Sequence, residues 1–420
     1  MAYISRVGRI RGVGVIVAAA ILMSACGGPE QLVRDAEGQG LAANPSRPVQ
    51  QLLRDRAAKL NSGDVDAYLA PLSPAARAFE EPVARRALAL PVSRFDMALG
   101  AATISDDGDH FRDAAVTLEY RYKELPDDNP FRLHLLYDFD HQPNGWVVTK
   151  AQFDSRPAYP PPPELWPSGP VTFTRSPHFL VMARPGARGV AELTATAEKE
   201  YADLAPALPV PSDDRVLLVL AADTKEYADN YGDPRSLAYA PFELGRNGAA
   251  ERRIVANAAG LLAPGSVKLD NSPDPVAPDA VFRHELAHLA LARYTRGCTS
   301  DWVAEGGAMV LAAERRSDRW KALAQGGKLD GLALDPVPPA TADYAFVNAA
   351  VAYLVGTYGQ PKFVEFYRNF KALPDEGCSG RVANVRSASD ERLLRRYYRF
   401  GVTDLEGYTR DFIRKAVAAP

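Results

Sequence analysis

His284 and His288 stand four residues apart in VFRHELAHLALARY, with Glu285 directly after the first of them. On a helix this spacing brings two imidazoles out of one face, about a turn apart, where both can reach a single cation. Paired imidazoles of this kind suit Zn2+. Glu285 would point beside the cation without easily binding it together with both histidines, the place required of a base that takes a proton from water activated there. With 6 histidines in 420 residues, His-Glu-x-x-His is expected by chance roughly 0.004 times in such a chain. Leu286, Ala287, Leu289 and Ala290 would bury the helix in a core, where two histidines without a partner are costly.

A catalytic zinc needs a third protein ligand and one open position. No histidine follows His288, so the next candidates are the carboxylates of Asp301, Glu305 and Glu314. They lie on a second helical stretch, DWVAEGGAMVLAAE, reached through the turn-like RGCTS. A connection that short makes the two helices neighbours. Glu305 is favoured, because Ala304, Gly306 and Gly307 around it allow close approach of helices. Asp301 reads as a residue of the helix start, where a carboxylate serves capping and the helix dipole.

HELAH followed by WVAEGGA resembles the gluzincin zinc metallopeptidases, in particular the peptidase MA-like domains that pair His-Glu-x-x-His with Trp-x-x-Glu-Gly; the likeness covers about residues 171–418. It implies that His284, His288 and Glu305 are the metal ligands, that Glu285 is the general base, and that the reaction is hydrolysis of a peptide or protein substrate. DYAFVNAAVAYLVGTYGQPKFVEFYRNF resembles the family's helix pair after the ligand glutamate. Tyr344 within it matches the family-like position of an oxyanion donor better than Tyr353 or Tyr358; the alternative for Tyr344 is a packed helix tyrosine. Met309, one turn after Glu305, departs from the pattern, lacking the carboxylate that some gluzincins use to orient a metal histidine. An extended substrate is expected to add a strand along residues 252–270.

The first 25 residues hold Arg6, Arg9 and Arg11 and no acid, followed by the apolar run VGVIVAAAILM and then Ser24 and Ala25. That is the form of an export signal, too short for a stop-transfer helix. Leu22 to Cys26 (LMSAC) resembles the lipobox of bacterial lipoproteins, which implies lipidation of Cys26, an anchor in a membrane and an extracytoplasmic location. The alternative is a plain secretory signal with an incidental cysteine. Cys298 and Cys378 then remain, and two thiols in an oxidising compartment can form a disulfide. Its loop of about 80 residues would restrict the unfolded chain by roughly 4 kcal/mol. Two free buried thiols are the other outcome, and Cys298 is near enough in sequence to be a zinc ligand itself. Of the chain's 49 basic residues, 46 lie beyond the signal against 52 acidic ones, a balance that speaks against nucleic acid as a partner.

These motifs sit in a chain expected to be α+β with two domains. Residues 1–25 are the signal and 26–48, rich in Gly, Pro, Gln and Ala, a flexible tether. Residues 49–155 open with helical VQQLLRDRAAKLNSGDVDAYLAPLS and continue in the strand-like runs AAVTLEYRYKEL, FRLHLLYDFD and WVVTKAQFD. The order resembles the NTF2-like, cystatin-like α+β cone, which assigns no chemistry. Seven prolines among residues 156–170 mark a linker. Residues 171–420 form the peptidase-like domain, with strand runs VTFTR, HFLVMA, RVLLVLAA, SLAYAPFEL, RRIVANA and SVKLD, a helix about 190–204, and almost unbroken helix after Pro278. The competing functional reading is a catalytically inactive lipoprotein whose zinc site serves a binding or assembly scaffold, against which the intact Glu285 counts.

Overall fold

A computed structural model of the chain describes residues 46–105, 108–125, 130–154, 164–204, 215–231, 238–239, 253–263, 277–292, 294–295, 299–314, 317–334, 341–370 and 383–418. Cys26, Cys298 and Cys378 lie outside the described residues, and with them the expected lipidation site and disulfide. The fold is α+β, as expected.

The first part is three helices on an antiparallel sheet. Helix α1 (Ser46–Asn61) begins inside the stretch read as tether and buries Val49, Leu53, Ala57 and Leu60, a single stripe at helical spacing. After α2 (Val65–Leu69), helix α3 (Pro74–Leu88) starts where the Ser73 side chain accepts the Ala76 N–H and Pro74 takes the first turn. Strands β1 (Val92–Leu99), β3 (His110–Tyr122), β4 (Phe131–Gln142) and β5 (Gly145–Phe153) pair in the order β1-β3-β4-β5, with the short β2 (Thr103–Ile104) on β3. The three strand runs of the sequence are β3, β4 and β5; α3 and β1 are additions to that reading.

A second sheet follows, built from β6 (Thr172–Arg175), β7 (Phe179–Ala183), β8 (Val216–Ala221), β9 (Ala238–Tyr239) and β10 (Arg253–Asn257) in the order β6-β7-β8-β10-β9. Its three central strands β7, β8 and β10 are parallel and its margins antiparallel. Between the strands run α4 (Val190–Leu204), which crosses from β7 to β8, and α5 (Thr224–Tyr231). After α6 (Ala258–Leu262) the described chain is helical: α7 (Pro278–Ala292), α8 (Asp301–Leu311), α9 (Ser317–Gln325), α10 (Thr341–Tyr358), α11 (Gln360–Arg368), α12 (Ala383–Tyr398) and α13 (Val402–Ala418). The run SVKLD lies outside the described residues.

Every residue of β7, β8 and β10 is buried, as befits parallel strands covered on both faces. Alternate side chains enter two different cores. Phe179, Val181, Leu218, Leu220, Ile254 and Ala256 pack with α4, α7 and α8. Leu180, Met182, Leu217, Val219, Ala221 and Val255 pack instead with the N-terminal helices and sheet. Residues 164–170, the described end of the proline-rich stretch expected to be a linker, belong to this seam. Glu164, Leu165 and Trp166 are at most 1% exposed. Glu164 accepts from Tyr122 Oη at 2.7 Å and from Arg253 Nη1 on β10 at 3.2 Å, while Trp166 Nε1 donates to Tyr120 Oη at 3.3 Å. Proline content explains why this segment forms neither helix nor strand, but its side chains are core.

Candidate metal centre

Helix α7 carries the His-Glu-x-x-His run. It opens on Pro278 and Asp279, a proline where no intrahelical N–H partner is needed and a carboxylate at the positive end of the helix dipole. Its apolar residues Phe282, Leu286, Ala287, Ala290 and Leu291 anchor it in the core shared with α4 and α8. That leaves His284 half-buried, and Glu285 and His288 buried.

Helix α8 lies alongside, and two features fix its position. At its start, Ser300 Oγ and Trp302 Nε1 both donate to Oδ2 of Asp390 on α12, at 2.6 and 2.8 Å. All three groups are buried, so the tryptophan of the Trp-x-x-Glu run locks the helix end that precedes Glu305. In its middle, two glycines let neighbours come close. A Cβ on Gly307 would sit 3.1 Å from Leu291 Cδ1 of α7, and one on Gly306 would sit 2.5 Å from Val351 Cγ2 and 3.0 Å from the Val347 carbonyl of α10. The small residues flanking Glu305 thus serve two contacts, one of them with α10. Gly306→Ala is expected to push α8 off α10 at a cost of about 1–3 kcal/mol and to displace Glu305 from the histidines. A lowered thermal midpoint together with weaker metal retention in dialysis would show it.

Three side chains that could hold a metal ion converge from the two helices. His284 Nε2 and His288 Nε2 are 2.9 Å apart with ring planes at 80°. Glu305 reaches both, Oε2 to His284 Nε2 and Oε1 to His288 Nε2, each at 3.5 Å. All three residues offer ligand atoms within 4.8 Å of one another. Ligands of one tetrahedral zinc at about 2.0–2.1 Å are separated by roughly 3.4 Å, so the two carboxylate distances fit and the imidazole pair needs to open only by a few tenths of an ångström. Among the described residues, two imidazoles and one carboxylate are the groups brought together, a donor set that could hold one metal ion.

Electrostatics agree with the geometry. Burial disfavours charge on His284, yet Glu305, Glu314 and Glu285 together outweigh it and hold that imidazole well above its ordinary range. Burial likewise works against the Glu305 carboxylate, and His288 and His284 still hold it far below the usual carboxylate range. The pocket is therefore built to hold positive charge among three carboxylates.

Of the residues singled out from the sequence, His284, His288 and Glu305 come together, and Glu285, the residue after His284 on the same helix, is buried. Asp301 is the first residue of α8 and stands outside this cluster. Glu314, weighed as a ligand, instead meets the far nitrogen of His284, Oε1 to Nδ1 at 2.6 Å. Tyr344 is half-buried near the start of α10, packed on the core that holds α7 and α8. Strand β10 has β8 on one side and β9 on the other, so residues 253–257 offer no free edge for a substrate strand; among the described residues the margin on that side is β9. Asp390 was not foreseen, since nothing near it in sequence marks it, although a carboxylate that holds a buried serine and indole could be sought wherever a motif tryptophan must be satisfied. No protein-family model and no curated protein matches the sequence.

Proposed function

We propose that the chain is a membrane-anchored, extracytoplasmic zinc peptidase that hydrolyses peptide bonds in peptides or proteins. The observation that carries this reading is the convergence of His284, His288 and Glu305 next to the buried Glu285. A structural metal site needs no such base and is usually closed by four protein ligands. The gluzincin likeness of about residues 171–418 and the cone-like order of residues 49–155 support the same reading. The basic and apolar start and the LMSAC segment support export and an anchor on Cys26; among the described residues no helix is long and apolar enough to cross a membrane.

Zinc bound by these three side chains would supply the Lewis acidity that activates water and polarises a peptide carbonyl. The remaining work falls to the chain's own groups. Glu285 takes the proton of the attacking water and returns it to the leaving amine. Its burial keeps the carboxylate away from bulk solvent and poised for both transfers. Tyr344 is assigned the hydrogen bond to the oxyanion. An extended substrate would lie along the β9 margin of the second sheet.

The ligand assignment is tested by equilibrium dialysis against zinc. Wild type is expected to retain about one zinc per chain, Glu305→Ala to lose it, and Asp301→Ala to keep it. Wild type that holds no zinc, or a Glu305→Ala variant that holds it as tightly as wild type, would overturn the reading.

A further inference from the structure

Helix α8 ends in an unusual way for its sequence. Ala313 adopts a left-handed conformation, with φ of 55°. The Glu314 N–H bonds back to the Met309 carbonyl at 2.9 Å and the Ala313 N–H to the Val310 carbonyl at 3.0 Å. This pair of bonds is the glycine-type helix stop, yet the left-handed position holds an alanine, whose Cβ makes that conformation unfavourable by about 1 kcal/mol. The turn folds the chain back so that Glu314, nine residues after Glu305, places its carboxylate 2.6 Å from His284 Nδ1. Both side chains are largely shielded, at 17% and 16% exposure.

A histidine that binds metal through Nε2 must carry its proton on Nδ1, and a carboxylate on Nδ1 fixes both the tautomer and the ring plane. Met309, one helical turn from Glu305, has no group to do this, and it is fully buried in the core. We infer that Glu314 is the positioning residue for His284, delivered by the left-handed turn at Ala313. The inference rests on the zinc reading above and adds to it a residue outside the ligand set, reached by a backbone reversal and not by helical periodicity.

The test is zinc affinity by competition with a chromophoric chelator, on wild type, Glu314→Gln and Glu314→Ala, with thermal unfolding of the metal-free forms to establish that each is folded. Glu314→Ala is expected to weaken zinc binding by about 10- to 100-fold. Glu314→Gln, whose amide oxygen can still accept the Nδ1 proton, is expected to recover part of that loss. Cobalt substituted for zinc should show a shifted visible band in Glu314→Ala, because His284 is free to rotate; a purely structural role would leave the band in place. If wild type binds zinc and Glu314→Ala binds it equally well, the positioning role is wrong and the metal site stands. If wild type binds none, both fall together.

Discussion

Replacing Glu285 with glutamine is expected to leave zinc binding within a few-fold of wild type and to reduce peptide hydrolysis by about 10²- to 10⁴-fold, the contribution of a positioned general base. The substitution is close to isosteric, so α7 should keep its packing around Phe282, Leu286 and Ala290. What it removes is the capacity to accept the proton of the attacking water. It also takes one negative charge from beside His284, which Glu285 helps to hold in its charged form in the metal-free chain. Metal content and digestion of a mixed peptide library, measured on the same preparation, separate the two effects. Hydrolysis that survives in the variant would remove Glu285 from the reaction; a library left intact by wild type as well would favour a scaffold over an enzyme.

The second large effect concerns the N-terminal part. A chain beginning at Val171 is expected to be insoluble or unfolded, because it uncovers the second face of the β6–β10 sheet. Leu180, Met182, Leu217, Val219 and Val255 on that face are all fully buried. At about 1.5–3 kcal/mol for each side chain withdrawn from water, their exposure is worth on the order of 10 kcal/mol, comparable to the whole stability of an ordinary domain. A milder version keeps the full chain and changes Trp166 to alanine, with an expected loss of about 3–5 kcal/mol. Denaturant unfolding of the variant measures it. A soluble, cooperatively folding 171–420 fragment would show that the N-terminal part is dispensable to the fold. The same geometry bears on its role: its described residues pack on the sheet face opposite α4, α7 and α8.

Much of the centre could be read from the sequence because it depends on local periodicity. His284 and His288 stand four positions apart, and that spacing alone brings their rings to one side of a helix. Glu305 followed from a short connection between helices and from the glycines beside it. Glu314 in its actual role did not, because the left-handed turn at Ala313 has no glycine to announce it. In the fold, β3, β4, β5 and α4 were legible from alternation and helical spacing, whereas α3 was hidden by Pro82 within it and by its mixed composition. The proline-rich stretch misled for a different reason: composition reports which backbone shapes are forbidden, not whether Trp166 is buried. The signal was present elsewhere. VLLVLA, apolar at every position of β8, has no polar face to turn to solvent and so already required a cover on both sides.

The seam between the two sheets has a polar heart, Arg253 and Glu164 with Tyr122 beside them, each no more than 1% exposed. Pulling the sheets apart would strand a carboxylate and a guanidinium in a greasy surface, and sliding one past the other would misalign the donors that neutralise them. The two sheets are therefore expected to unfold together, so that damage near Trp166 lowers the temperature at which the distant histidines lose their arrangement.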